Sequence, residues 1–264
     1  MPAAKAWRAS LEALAIPPEI LAQAPADPWR LPTELFLVEA GKKPPPTPSR
    51  ERAAEVLPGG GSVLDVGCGG GRASLALVPP AGELTGVDES AEMLAEFSRA
   101  AGAAGVPAAA IHGRWPDIAA SVPIEPADVV VCHHVLYNVA DLVPFVRALT
   151  TCAKERVVVE LTDRHPRAGL APLWQEIWGI HRPDGPDATA AAEVVREAGI
   201  EVVTESFEVP ARPSRGRAAI VAGIRRHLCA GPERDGEIDR LLPGDFDTGR
   251  RSVTCLWWPG AAEG

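Results

Sequence analysis

Paired cysteines are missing from this chain. Its five cysteines, Cys68, Cys132, Cys152, Cys229 and Cys255, are odd in number and form no Cys-x-x-Cys pair. That speaks against a disulfide framework and a thiolate zinc site, and the simple expectation is a reducing, cytoplasmic setting. Basic charge is also short: 26 Lys and Arg against 35 Asp and Glu give a formal net charge of −9, and only four of the basic residues are lysines. Non-specific nucleic-acid binding needs clustered cations, so a nucleic-acid partner is disfavoured. No apolar run reaches the roughly 18 residues of a membrane span. Lys5, Arg8 and Glu12 interrupt the apolar residues near the N-terminus, which leaves no secretory leader pattern there.

What is present is ordinary globular material. Hydrophobic residues make up 46% and charged residues 23% of 264 positions, enough for a sizeable core in one or two domains. Residues 1–46 read as an N-terminal cap segment ending in the Pro-rich linker Gly41-Lys42-Lys43-Pro44-Pro45-Pro46, with 29–38 apolar enough to pack. From Thr47 strands and helices alternate. Thr47 caps a helix with Pro48 in its first turn. Ser62–Val66 is a strand, Gly67–Gly71 a glycine loop and Arg72–Val78 a short helix. Strands follow at 83–87, 108–112, 128–132 and 156–161. Helices run over 90–101, with Gly102 past its end, over 141–150, capped by Asp141, and over 189–198. Ile200–Val209 and Arg217–Ile224 read as a terminal antiparallel pair. The pattern predicts an α/β fold: a Rossmann-like, doubly wound, seven-stranded, mostly parallel sheet with helices on both faces and an antiparallel terminal strand. The domain spans 47–225, with 163–188 an insertion and possible substrate lid, and 226–264 a tail packed on the domain.

The strongest motif is Val63-Leu64-Asp65-Val66-Gly67-Cys68-Gly69-Gly70-Gly71, a strand running into a bare glycine loop and a helix. Ligands of open α/β sheets bind at such strand ends. The dinucleotide pattern Gly-x-Gly-x-x-Gly/Ala fails, because its sixth position is Arg72 counted from Gly67 and Ser74 counted from Gly69. No Gly-Lys-Ser/Thr follows, so the phosphate-loop pattern fails too. Asp65, two residues before the first glycine, would repel a pyrophosphate and suits a cationic ligand. Asp88, 17 residues after Gly71, ends the next strand, where a carboxylate can accept bonds from a ribose diol. The two acids together predict a nucleoside with a positively charged, non-phosphate end.

With Asp65, Gly67, Gly69 and Gly71 forming Asp-x-Gly-x-Gly-x-Gly, Asp88 at the acidic ribose position, and His134-Val135-Leu136-Tyr137-Asn138-Val139-Ala140-Asp141 after the fourth strand, residues 62–160 resemble the core of class I S-adenosylmethionine-dependent methyltransferases. The resemblance implies S-adenosyl-L-methionine as cofactor. Main chain of Gly67, Cys68 and Gly69 would line its methionyl part. Asp65 would support the amino group, directly or through water, and Asp88 would bind the ribose. The acid that such proteins place after the third strand is replaced here by Arg114, so backbone of Arg114 and Trp115, or the Trp115 ring, would take its role. His133 would bind through its carbonyl. His134 is the candidate general base, although neighbouring strand residues point to opposite faces and only one of the two imidazoles should face the site.

The resemblance also narrows the acceptor. The place after the fourth strand reads Cys132-His133-His134-Val135, without the Asn/Asp-Pro-Pro-Tyr/Phe of amino-methylating nucleic-acid enzymes. No Pro-Cys nucleophile and no carboxylate trio for magnesium appear. These absences favour methyl transfer by in-line displacement onto a small or medium-sized organic acceptor. Two alternatives stay open: methylation of RNA or protein, for which an Arg stripe at 212, 215, 217, 225 and 226 would speak, and a non-catalytic cofactor-binding protein. Trp174 and Trp178 share a helix face as core or as an aromatic wall. His181–Pro186 is a turn with charged tips, Tyr137 is core or a site hydroxyl, and Trp257-Trp258-Pro259 would dock the C-terminus.

Overall fold

Branched aliphatic residues build the strands. The computed structural model describes residues 1–29, 45–210, 216–244 and 250–261. The strands are β1 (Ser62–Val66), β2 (Glu83–Asp88), β3 (Ala108–His112), β4 (Ala127–His133), β5 (Ala153–Thr162), β6 (Val203–Pro210) and β7 (Arg250–Pro259). They form one sheet in the order β3-β2-β1-β4-β5-β7-β6. The first five are parallel, and β7 pairs antiparallel with both β5 and β6. The helices are α1 (Ala3–Glu12), α2 (Pro18–Leu21), α3 (Pro48–Ala54), α4 (Arg72–Leu75), α5 (Ala91–Ala103), α6 (Asp117–Ser121), α7 (Leu142–Thr151), α8 (Ala171–Trp178), α9 (Ala188–Glu197), α10 (Arg217–His227) and α11 (Asp235–Leu241).

The alternation of side chains along the central strands feeds two cores. Val130, Cys132, Val157 and Val159 pack with α7, α9 and Trp7 of α1. Val129, Val131 and Val158 pack on the opposite face with Ala53, Leu77, Leu94 and Phe97. The Trp7 indole N–H donates to Val139 O at 2.7 Å, so α1 docks on the sheet's helical layer. Helix starts follow their caps. Thr47 Oγ1 accepts from Arg50 N at 3.3 Å, Ser90 Oγ from Met93 N at 3.3 Å, and Asp187 Oδ1 from Ala190 N at 2.8 Å. Each such cap contributes about 1 kcal/mol. Asp141 occupies the cap position of α7 without a side-chain cap bond and pairs with Arg8 at 3.2 Å instead. α5 runs through Gly102 and ends before Gly105, whose φ of +69° makes the left-handed turn there.

The C-terminal third differs from the sequence reading. Residues 217–224 are not a strand. Val221, Ile224 and Leu228 recur at helical spacing and are buried along one face of α10 and its end. The strand that completes the sheet comes from the segment read as a tail. In β7 Val253, Cys255, Leu256 and Trp258 are buried, as a strand between two neighbours requires. Trp258 donates to Thr150 Oγ1 at 2.8 Å from within that strand. A third core lies beyond the sheet. Ile16 and Ile20 around α2, Leu173, Trp174 and Ile177 of α8, and Val221, Ile224 and Ile238 of α10 and α11 pack together. The N-terminal segment, the insertion and the chain between β6 and β7 thus share one apolar cap. Most of the apolar stretch after Trp29, residues 41–44 of the linker, and Arg212 and Arg215 lie outside the described residues.

Candidate functional site

β1 ends in a loop whose Gly67, Gly69 and Gly71 have φ of +70°, +51° and +83°, a conformation open to glycine without steric cost. The N–H groups of Gly67 and Cys68 both donate to Val87 O, at 2.8 and 3.1 Å, which ties the loop to the end of β2. A Cβ on Gly67 would overlap the Val135 side chain, so the segment after β4 closes directly on the loop. Phe97 of α5 occupies the space that Cβ atoms on Gly71 and Gly86 would need. Asp88 Oδ2 accepts from Gly69 N and Oδ1 from Ser90 N, both at 2.9 Å. The predicted pair of glycine loop and second-strand acid is therefore one joined unit. Each Asp88 oxygen keeps a further lone pair.

Asp65 is placed differently from the expectation. It is 1% exposed, and its Oδ2 accepts from Ser74 Oγ at 2.7 Å and Ser74 N at 3.2 Å. Burial pushes its carboxyl upward, against the pull of Ser74 and then of His133. A carboxylate so enclosed braces the loop from beneath through Ser74. The Cys68 thiol is also turned inward. Burial, reinforced by Asp65 and Asp88, pushes it far above the usual thiol range, so Cys68 can serve a ligand through its main chain only.

After β3, Arg114 is exposed and its Nε lies 3.5 Å from Glu89 Oε1. The main chain is fixed by Gly113 N donating to Asp88 O at 3.0 Å. Trp115 as an adenine wall is corrected by its position: the ring is 6% exposed in the core with α7, and its N–H donates to Phe145 O at 3.3 Å. An indole needs to bury its large apolar body, and α7 supplies that surface.

At the end of β4 the chain leaves the strand through His134, a non-glycine residue with φ +60°. Such a conformation costs energy and marks a position held by its surroundings. His134 N donates to Glu160 O at 2.7 Å, and His134 Nε2 lies 3.1 Å from Glu160 Oε1. The turn breaks the strand's alternation, so the opposite-faces rule does not separate the two imidazoles: His133 is the register partner of Glu160 on β5, and His134 bonds its side chain. Burial pushes the His133 imidazole down, and its Nε2 is buried without a hydrogen-bond partner. Burial alone would raise Glu160, but His133 and the His134 hydrogen bond outweigh it and hold the carboxyl at about 2. Glu160 was missed in the sequence. Its signal was there: one acid following Val157-Val158-Val159 at the sheet's ligand-binding end.

Tyr137 proves structural. It is 8% exposed, its hydroxyl is bonded by Thr162 N and lies 2.6 Å from Thr162 Oγ1, and burial raises it to about 12. Trp174 is buried in the cap, and Trp178 donates to Leu228 O at 2.7 Å. The turn at 181–186 does not present all its charges outward, because Arg182 is buried.

The arrangement suits a nucleoside cofactor with no phosphate. The loop offers bare backbone, Asp88 offers free lone pairs, and the orphaned Nε2 of His133 asks for a polar partner. Comparison with known proteins agrees. Residues 63–156 match the model of a family described as a methyltransferase domain. No curated protein matches the chain significantly. Among solved structures the chain is similar to the YcgJ protein from Bacillus subtilis, at 17% identity and TM-score 0.55, covering 82% of this chain and 99% of that one. It is similar to a cyclopropane-fatty-acyl-phospholipid synthase-like protein from Lactobacillus casei, at 16% identity and TM-score 0.56, covering 80% and 89%. It also shares the fold of the [4+2]-cyclase SpnF, at 19% identity and TM-score 0.52, covering 81% and 80%. The chain shares the fold of these structures, and its residues 63–156 match a methyltransferase domain.

Proposed function

We propose that this S-adenosylmethionine-dependent methyltransferase delivers its methyl group to a small or medium-sized organic acceptor bearing a removable proton. The observation that carries the reading is the contact of His134 Nε2 with Glu160 Oε1 at 3.1 Å, where the chain turns out of β4. S-adenosylmethionine, when bound, supplies an electrophilic methyl group on a sulfonium, so the protein's task is positioning and proton removal. Asp88 would hold the ribose hydroxyls. Main chain of Gly67, Cys68 and Gly69, and the carbonyl of His133, would line the methionyl part, and backbone at Arg114 and Trp115 would meet the base. Asp65, through Ser74, keeps the loop in shape.

Glu160 fixes the tautomer of His134. With the proton on Nε2 directed to the carboxylate, Nδ1 carries the lone pair that can take a proton from the acceptor. Glu160 also offsets the positive charge that His134 would then carry. A small acceptor is supported by the apolar cap of α2, α8, α10 and α11, which favours enclosure over an open macromolecular groove. Two of the arginines considered for RNA are committed. Arg217 bonds Asp239 and the carbonyls of Leu242 and Pro243, and Arg225 bonds Asp235. The test is transfer of labelled methyl into a metabolite extract. Label should enter the small-molecule fraction, and label entering only RNA or protein would refute the reading.

A further inference from the structure

The cap holds two arginines, one buried and one half-buried, that pair with no anion among the described residues. Arg182 is 7% exposed, and its Nη1 is buried without a hydrogen-bond partner. Its guanidinium lies over the Trp174 ring, 4.3 Å from the centroid. Arg167, half-buried, lies 4.2 Å over the Trp29 ring. His227 stands edge-on between these two indoles, with ring centroids 5.8 Å from Trp29 and 6.4 Å from Trp174. Neither arginine forms an ion pair among the described residues. The insertion's exposed Asp184 is engaged elsewhere, 3.2 Å from Arg164.

A buried guanidinium without a carboxylate is costly, and stacking on one ring offsets only part of that cost. The strain shows in the protonation equilibria. Burial and the neighbouring Arg182 push Arg167 down to about 10, and burial pushes Arg182 down as well. His165 and His227 are held at about 4, by burial first and then by Arg167, so they stay neutral and add no charge. The cluster's positive charge is therefore that of the two arginines.

Contacts link the cluster to the end of the sheet that carries His134 and Glu160. The His165 ring meets Tyr137 edge-on at 5.5 Å, and Tyr137 is bonded to Thr162, two residues beyond Glu160. Three separate stretches of chain, carrying Trp29, the 165–182 insertion and His227, converge on it. We infer that Arg167 and Arg182, flanked by Trp29 and Trp174, form the acceptor's recognition site and select a substrate carrying an oxyanion, a carboxylate or a phosphate, attached to a flat apolar body. Planar guanidinium forks match either oxyanion in bidentate fashion, and the indole faces match an unsaturated body. The inference deepens the proposed function and rests on its small acceptor.

The experiment uses the full chain and three probes: benzoate, phenyl phosphate and neutral benzamide. Binding is followed by tryptophan fluorescence and thermal unfolding. Benzoate or phenyl phosphate should saturate and raise Tm, and the tighter of the two identifies the oxyanion. Benzamide should bind at least tenfold more weakly. Arg182→Leu and, separately, the half-buried Arg167→Leu should each weaken anion binding at least tenfold while leaving cofactor affinity within twofold, which also certifies folding. Ligand-free Arg182→Leu should keep or raise its Tm, because an uncompensated buried charge has been removed. Equal binding of benzoate and benzamide, or unchanged anion binding in both leucine variants, would overturn the inference. In the labelled-extract assay, methyl entering only neutral or cationic small molecules sinks this inference alone. Label entering only macromolecules sinks the small-acceptor reading beneath it.

Discussion

The imidazole of His134 and the carboxylate of Glu160 meet at 3.1 Å although they sit on different strand ends, because β4 and β5 are parallel neighbours in register His133 with Glu160. Replacing Glu160 by Gln keeps the shape but removes the carboxylate that, on the proposed reading, orients the His134 ring. Labelled methyl transfer should fall by about 10²-fold in Glu160→Gln, with cofactor affinity within twofold of wild type. Undiminished turnover would remove His134 from the proton-transfer role.

Asp88 is predicted to be the largest single side-chain contributor to cofactor affinity. Asp88→Ala deletes the ribose acceptor and also frees Gly69 N and Ser90 N. Affinity measured by calorimetry should drop more than tenfold, about 1.4 kcal/mol or more. An unchanged dissociation constant would remove the ribose assignment.

Ser74→Ala tests the brace beneath the loop. It takes one of the two bonds that Asp65 receives in a site with 1% exposure. Urea unfolding should show a loss of about 1–3 kcal/mol, the cost of leaving a buried acceptor short of partners. A loss below a few tenths would mean that Asp65 finds another partner.

Gly67→Ala combines two penalties, a φ of +70° and overlap with Val135. It should destabilise the protein by more than about 1 kcal/mol. Adding Val135→Ala should restore only the steric part, because the backbone conformation stays unfavourable to an L residue. Full recovery in the double variant would show that φ strain contributes nothing.

Stability should fall on mild acidification. His165 and His227 sit at about 4 in the folded protein, below the ordinary 6.5, so the unfolded chain binds more protons between those values. Their contribution is complete above about 6.5 and is lost as pH falls through about 4, on the order of 1–3 kcal/mol for each ring. Glu160, held at about 2, adds a second loss as pH falls from about 4.5 toward 2. Urea midpoints that stay level from pH 7 to pH 4 would contradict the burial of both rings.

The glycine loop, Asp88, β1 to β5 and the caps at Thr47 and Ser90 were within reach of the sequence because each is local. A cap is three residues long, a buried strand is an apolar run, and a left-handed turn asks for glycine where it stands. Most of the remainder was decided in space. Whether 217–227 or 250–259 pairs with β5 depends on which edge is free and on which apolar face the cap can cover, and β-branched residues occur in both segments. Trp115 was assigned to the crevice from its position after β3, but α7 offered its ring a drier surface. Glu160 gained its meaning from a register 26 residues away from His134, and Arg182 looked like a solvated turn residue until the insertion folded it over Trp174. Local spacing thus determined the glycine loop and its acid, since these parts belong to two consecutive strand–loop–helix units. The apolar cap and its arginines were decided only by tertiary packing, because three distant segments must be buried together before any of its charges acquires a partner or lacks one.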